Sequence, residues 1–115
     1  MKDNLIEKKS FSFALKIIAI FKEMQEQREY ILSKQLLRSG TSIGANVREA
    51  IAGESKNDFI HKMSIASKEA RETDYWLELI QKSNLVKLDV SDLQKDAKEI
   101  IRIITSIVKT TKENA

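Results

Sequence analysis

The chain has 115 residues, 42% of them apolar, which suits one domain over residues 1–115 with a single core and no covalent staples. Cysteine is absent, which excludes disulfides, zinc–thiolate sites and thiol catalysis and points to the cytoplasm. Twenty basic against seventeen acidic residues give a net charge of +3 and a pI near 9.1, a mixed surface that permits nucleic-acid binding without requiring it.

No membrane segment is expected: Met1-Lys2-Asp3-Asn4-Leu5 lacks the apolar stretch of a signal peptide, and the most apolar window, Phe11 to Phe21, is broken by Lys16. There is no proline, there are three glycines, and there is no run of alternating apolar and β-branched residues, so helix is the one periodic signal.

The first helix is expected from about Leu5 to about Arg28. Its residues Phe11, Phe13, Ala14, Leu15, Ile17, Ile18, Ile20, Phe21 and Met24 cover well over half of the circumference, leaving a narrow strip through Lys9, Ser12, Lys16 and Glu23 for solvent. A helix in a bundle needs an apolar stripe only about 100° wide for its own core. The surplus predicts a second protein surface, and with it a homo-oligomer. The break that follows, near Gln27-Arg28-Glu29-Tyr30, carries no glycine, proline or good cap.

The second helix is expected from about Ile31 to about Gly53, with Leu32, Leu36, Ile43, Val47 and Ala50 on one face. Glycine inside a helix costs roughly 1 kcal/mol against alanine, so Gly40 and Gly44 imply a close neighbour or a kink. A packing groove for another helix is the simpler reading, and a ligand contact the alternative. Gly53 then stands near a helix stop, and Ser55 or Asn57 can cap a third helix from about Lys56 to about Lys82. Phe59, Met63, Ala66, Ala70, Thr73 and Leu77 form its seam. After a break at residues 83–89, Asp89 or Ser91 can cap a fourth helix running to about Lys112, with a seam of Leu93, Ala97, Ile100, Ile101, Ile104, Ile107 and Val108. Short connections between long helices give an all-α, antiparallel up-down-up-down four-helix bundle.

Catalytic and metal chemistry find little support. His61 is the only histidine, Ser39, Thr41 and Ser42 have no evident activating partner, and a di-iron bundle would need two Glu-x-x-His pairs where this chain has Asp58-x-x-His61 once. No cofactor or metal is expected. Asp58 reads as a residue favoured by the helix dipole, and His61 as exposed.

Two polar stripes remain. Arg38, Ser42, Asn46 and Glu49 run beside the apolar seam of the second helix, where they should be half-buried; an interhelical hydrogen-bond network fixing register, for instance with Glu69, Glu72 or Asp74 of the third, is the simpler reading and a binding site the alternative. On the fourth helix, Lys95, Lys98, Arg102 and Lys109 share a face opposite the isoleucines, Lys112 follows, and no acidic residue occurs between Ile100 and Lys112. Lys34, Arg38 and Arg48 give the second helix a weaker basic line. Such stripes are the electrostatic footprint of phosphate binding, although most are solvated faces, and cyclic symmetry would repeat one around a ring. Tyr75 and Trp76 could stack on bases or anchor an oligomer interface.

The run Ser33-Lys34-Gln35-Leu36-Leu37-Arg38-Ser39-Gly40-Thr41-Ser42-Ile43-Gly44-Ala45-Asn46-Val47-Arg48-Glu49-Ala50 resembles the bacterial 23S rRNA intervening-sequence proteins. The resemblance continues through Ser55-Lys56-Asn57-Asp58-Phe59-Ile60 and from Ile65 to Leu77. It implies a four-helix protomer in a homopentameric ring, encoded in some bacteria within an insertion of the large-subunit rRNA gene, with no enzymatic activity. Arg38, Ser42, Asn46 and Glu49 carry over as motif positions without an assigned role. A related group, the accessory proteins of diversity-generating retroelements, has similar rings and a positive surface associated with nucleic acid; this sequence is only mildly basic beside it.

The leading expectation is therefore a non-catalytic homo-oligomer that binds RNA or a ribonucleoprotein through basic residues of helices 2 and 4. The second is a protein-interaction adaptor with no nucleic-acid role. An enzyme using Arg38, Asn46 and Glu49 would need a pocket and a perturbed Glu49.

Overall fold

The helical periodicities are realised as four helices in a computed structural model that describes residues 2–114. They are α1 (Lys2–Glu26), α2 (Leu32–Ile51), α3 (Lys56–Ser83) and α4 (Ser91–Glu113), and no strand occurs among the described residues. The helices pack in sequence order, α1 on α2, α2 on α3 and α3 on α4, and α4 closes back on α1. α2 and α4 therefore lie diagonally across a rod of 49 × 20 × 20 Å.

The connections carry most of what periodicity could not specify. α1 ends two residues before the expected Arg28, because Arg28 takes a left-handed conformation with φ 63°. The Arg28 amide donates to Gln25 O at 2.9 Å and the Glu29 amide to Met24 O at 2.9 Å, the paired bonds of a Schellman stop, made here without glycine. Glu29 then starts α2 from outside it: its carboxylate accepts the amides of Ile31, Leu32 and Ser33 at 3.1, 3.2 and 2.8 Å. One side chain thus satisfies three amides that a helix start leaves without partners.

Gly53, expected as a helix stop, has no positive φ. It is small for a different reason: a β-carbon there would lie 3.1 Å from Ala50 O and 3.2 Å from Asp58 Cβ. Ser55, one of the two expected caps of α3, accepts the Asp58 amide at 3.0 Å. At α4 the cap position is Val90, with no side-chain cap hydrogen bond, rather than the expected Asp89 or Ser91. Asp89 accepts the Ser91 amide at 3.0 Å, while Gln81 of α3 accepts the Val90 amide at 2.7 Å. The Gln27 side chain joins this end to the α1–α2 turn, accepting the Lys87 amide at 2.7 Å and donating to Lys87 O at 3.1 Å.

The core is one cluster drawn from all four helices, with Phe13, Ile17, Leu36, Ile43, Met63, Leu77, Ile100 and Ile104 almost wholly buried. Its polar inclusions are satisfied: Ser39 and Thr73 share a hydrogen bond of 2.9 Å across α2 and α3, and Thr73 also donates to Glu69 O at 2.7 Å. Gln25 of α1 donates to Ser33 at 2.8 Å. Along the α1–α2 seam Gln25 meets Ser33, Ile17 meets Gly40, Ser10 meets Gly44 and Glu7 meets Arg48, so residue numbers fall on α1 as they rise on α2.

The two interior glycines of α2 both face α1, in line with a packing groove, but they are not equivalent. A β-carbon on Gly40 would sit 2.8 and 2.9 Å from the two γ-carbons of Ile17, a stiff branched side chain with no rotamer to spare. On Gly44 the closest atoms would be the backbone and hydroxyl oxygens of Ser10 at 3.4 Å, an ordinary contact. Gly40→Ala should therefore lower stability by about 1–3 kcal/mol through overpacking. Gly44→Ala should raise it by about 0.5–1 kcal/mol by removing the glycine's conformational freedom. Urea denaturation of the two variants checks the contrast, and equal effects would contradict it.

Candidate nucleic-acid interface and polar stripe

The inward seam of α4, through Leu93, Ala97, Ile100, Ile104 and Ile107, turns the opposite side of the helix to solvent. Lys95, Lys98, Arg102, Lys109 and Lys112 are not buried there. Lys98 Nζ lies 3.0 Å from Asp74 Oδ1 of α3, whereas Lys95, Arg102, Lys109 and Lys112 make no ion pair with any described residue.

The basic residues of α2 do not join this row. Because α2 and α4 are diagonal, their outer sides look in different directions. The surface beside the α4 row is instead that of α3, where Lys68 and Arg71 are exposed. Lys34 is without an ion pair among the described residues. Arg48 is held at the α1–α2 seam, with Nε 3.5 Å from Glu7 Oε2 and its guanidinium 5.1 Å from the Phe11 ring centroid.

Of the polar stripe on α2, only Arg38 forms the expected network. Its guanidinium bridges α2 to α3, 3.0 Å from Glu69 Oε2 and 2.5 Å from Glu72 Oε2, and the Trp76 indole donates to the same Glu72 oxygen at 2.9 Å. Asp74, the third expected partner, faces α4 and Lys98 instead. Ser42 and Asn46 are half-buried but turn back onto their own helix, donating to Arg38 O at 2.6 Å and to Ser42 O at 2.9 Å. Arg38 and Glu49 are exposed rather than half-buried, because each lies at the outer rim of the α2–α3 seam. Glu49, the carboxylate that catalysis would need, sits 3.6 Å from Lys62 Nζ. Trp76 packs against the core, and Tyr75 stands exposed beside it with ring centroids 5.2 Å apart. His61 is exposed, and no cluster of three metal-ligating side chains occurs among the described residues.

The profile of the family described as 23S rRNA-intervening sequence protein matches residues 2–106, most of the four helices. The chain belongs to this family. Among the solved structures that this chain matches is a crystal structure, at 1.70 Å resolution, of a protein with unknown function from the S23 ribosomal protein family of Bacteroides thetaiotaomicron VPI-5482. The two are 47% identical over 95% of this chain and 99% of the other, with a TM-score of 0.90. No curated protein matches. No helix among the described residues is long and apolar enough to cross a membrane.

The over-apolar α1 divides into three sides. Ile6, Phe13, Ile17 and Met24 enter the core. Lys9 and Lys16 run along α4, 2.5 Å from Glu99 and 3.1 Å from Asp96, so the strip expected to face only solvent borders a neighbouring helix. Phe11, Leu15 and Ile18 remain 49, 55 and 37% exposed, and with Ala14, Thr41 and Ala45 they line an open groove between α1 and α2.

Single-helix arithmetic could not find Ser64, Ser67 and Thr105, which meet Lys109 and Lys112 in a second groove between α3 and α4. They carry no motif, and only the packing of two helices brings them together.

The Arg38 network sets a pH dependence. The hydrogen bond from Arg38, followed by that from Trp76, holds the Glu72 carboxyl below the usual glutamate range, while Glu72 and then Glu69 raise the Arg38 guanidinium above its own. As pH falls through the ordinary carboxylate range the unfolded chain takes up the Glu72 proton first, so this contribution, present above that range, is lost on acidification. Glu72→Gln should therefore flatten the fall in stability between about pH 5 and pH 3 relative to the parent. Urea midpoints across that interval test it, and parallel curves would contradict the assignment.

Proposed function

We propose that this member of the 23S rRNA-intervening sequence family is a non-catalytic, cytoplasmic protein that binds RNA or a ribonucleoprotein. In this reading its antiparallel up-down-up-down protomers assemble into a homo-oligomeric ring of five. The observation that carries the binding reading is the row Lys95, Arg102, Lys109 and Lys112, open to solvent on α4 and free of ion pairs among the described residues. A cation already paired with a carboxylate gives little to an incoming phosphate, because binding must first break that pair. An unpaired row offers its whole charge and releases the counterions condensed on the nucleic acid. Self-association is supported by Phe11, Leu15 and Ile18, which recur at helical spacing on one side of α1 and stay exposed in the protomer. A ring would bury that stripe and repeat the α4 row once per subunit, building a strong field from a chain of net charge +3.

The same exposed stripe also suits a foreign protein, which is the specific support for the adaptor reading. Capture from a lysate with and without nuclease separates the two, since only a direct protein partner survives nuclease.

Light scattering on protein freed of nucleic acid should give a mass about five times the 13.2 kDa of the chain. Leu15→Glu, at a position 55% exposed in the protomer, should shift that mass toward the monomer with the helix content unchanged. A monomeric parent would overturn the ring. In filter binding, the double variant Arg102→Glu and Lys109→Glu should weaken RNA affinity by at least tenfold at low salt and reduce the salt slope by about one for each phosphate no longer neutralised. Unchanged affinity would remove the α4 row from the interface.

A further inference from the structure

Several helical serines and threonines in this protein give their proton to a carbonyl one turn back. Thr41 donates to Leu37 O, Ser42 to Arg38 O, Thr73 to Glu69 O and Thr111 to Ile107 O, all at 2.6–2.7 Å. Ser64, Ser67 and Thr105 do not, and none of the three side chains hydrogen-bonds to any described residue. They lie together in the groove of about 400 Å³ between α3 and α4, whose apolar lining is Ile104 and Val108 and whose cations are Lys109 and Lys112. No carboxylate of the described residues lines it. Since no buried side-chain polar atom among the described residues lacks a partner, the half-buried Ser64 and Ser67 hydroxyls are open to solvent.

We infer that this groove is a subsite for one ribose-phosphate unit of an RNA strand. The inference rests on the RNA-binding reading above and adds to it a place and a sugar preference. A small inorganic anion would use the lysines and leave the apolar lining idle. A ribose-phosphate unit uses both: its C–H face rests on the partly exposed Val108, backed by the buried Ile104, and its phosphate meets Lys109 and Lys112, neighbours one turn apart on the same helix. The remaining polar group is the 2′-hydroxyl, at once donor and acceptor. Serine and threonine hydroxyls have the same dual capacity, which a lysine lacks, and here their protons and lone pairs are uncommitted. Ser64, Ser67 and Thr105 therefore read the sugar, while Lys109 and Lys112 hold the backbone.

The test compares labelled oligouridine with oligodeoxyuridine of equal length, which differ only in the 2′-hydroxyl, by fluorescence anisotropy at two salt concentrations. One variant combines Ser64→Ala, Ser67→Ala and Thr105→Ala, which keep every charge and favour helix. A second combines Lys109→Gln and Lys112→Gln, and circular dichroism melting verifies that both fold. The parent should prefer oligouridine. The hydroxyl variant should lose that preference by about fivefold for each hydrogen bond removed while keeping its affinity for oligodeoxyuridine. The lysine variant should weaken both ligands and lower the salt slope by about one for each lysine. A parent that prefers oligouridine with both variants unchanged would refute the groove and leave RNA binding standing. Equal binding of the two ligands by the parent, or a preference that persists in the hydroxyl variant, would refute the sugar reading. A parent that binds neither ligand would remove RNA binding and the groove together.

Discussion

The seating of Ile17 on Gly40 is the constraint from which the rest of the arrangement follows. With the γ-carbons of Ile17 already 2.8–2.9 Å from where a β-carbon would stand, α1 can lie on α2 only because that position has none. This close approach fixes the rotation of α1 about its own axis. Phe13, Ile17 and Met24 point inward, Lys9 and Lys16 run beside the acidic edge of α4, and Phe11, Leu15 and Ile18 come out along α2. A rotation of α1 by one residue in one direction would turn Lys9 and Lys16 toward the core, and in the other it would bury the Phe11, Leu15 and Ile18 stripe. The glycine thus sets which apolar residues of α1 enter the core and which stay on its surface.

A second organising fact is where the carboxylates have gone. Every seam between neighbouring helices carries at least one ion pair: Arg48 with Glu7, Arg38 with Glu69 and Glu72, Lys98 with Asp74, and Lys9 and Lys16 with Glu99 and Asp96. Exposed pairs of this kind contribute little stability one by one. Their larger effect is on the distribution of charge, because acidic side chains committed to the seams are not available to neutralise the outer side of α4. The mild excess of base in the composition becomes a local surplus on one face.

Much of this is legible in the residues. The seams of α3 and α4 have the expected spacing, the four helices fall within a few residues of their expected bounds, and the apolar surplus of α1 is exposed on one side as its periodicity requires. The turns are not legible, because Glu29 caps α2 from two residues outside its cap position and Arg28 occupies a conformation usually given to glycine. The basic residues of α2 and α4 look alike in sequence, yet a helical wheel carries no information about diagonals. The convergence of Ser64 and Ser67 with Thr105 is invisible for the same reason: a groove belongs to two helices at once. In the polar stripe, Arg38 makes its expected bridge to the third helix because its length lets it cross a seam from an exposed position, while Ser42 and Asn46 are short enough to find acceptors on their own backbone.

The two left-handed residues, Arg28 at φ 63° and Asn84 at φ 55°, have one more consequence. An L-residue with a β-carbon is crowded against the following carbonyl in this conformation, asparagine less than arginine, and glycine is relieved of the crowding altogether. The arginine turn is therefore a reserve of stability that the chain has left undrawn. It lies in the α1–α2 connection, apart in sequence from both the α1 stripe and the α4 row, so strengthening it leaves either surface chemically untouched. A chain reinforced there would tolerate heavier substitution on α4, and a weakened affinity could then be ascribed to the interface rather than to the fold.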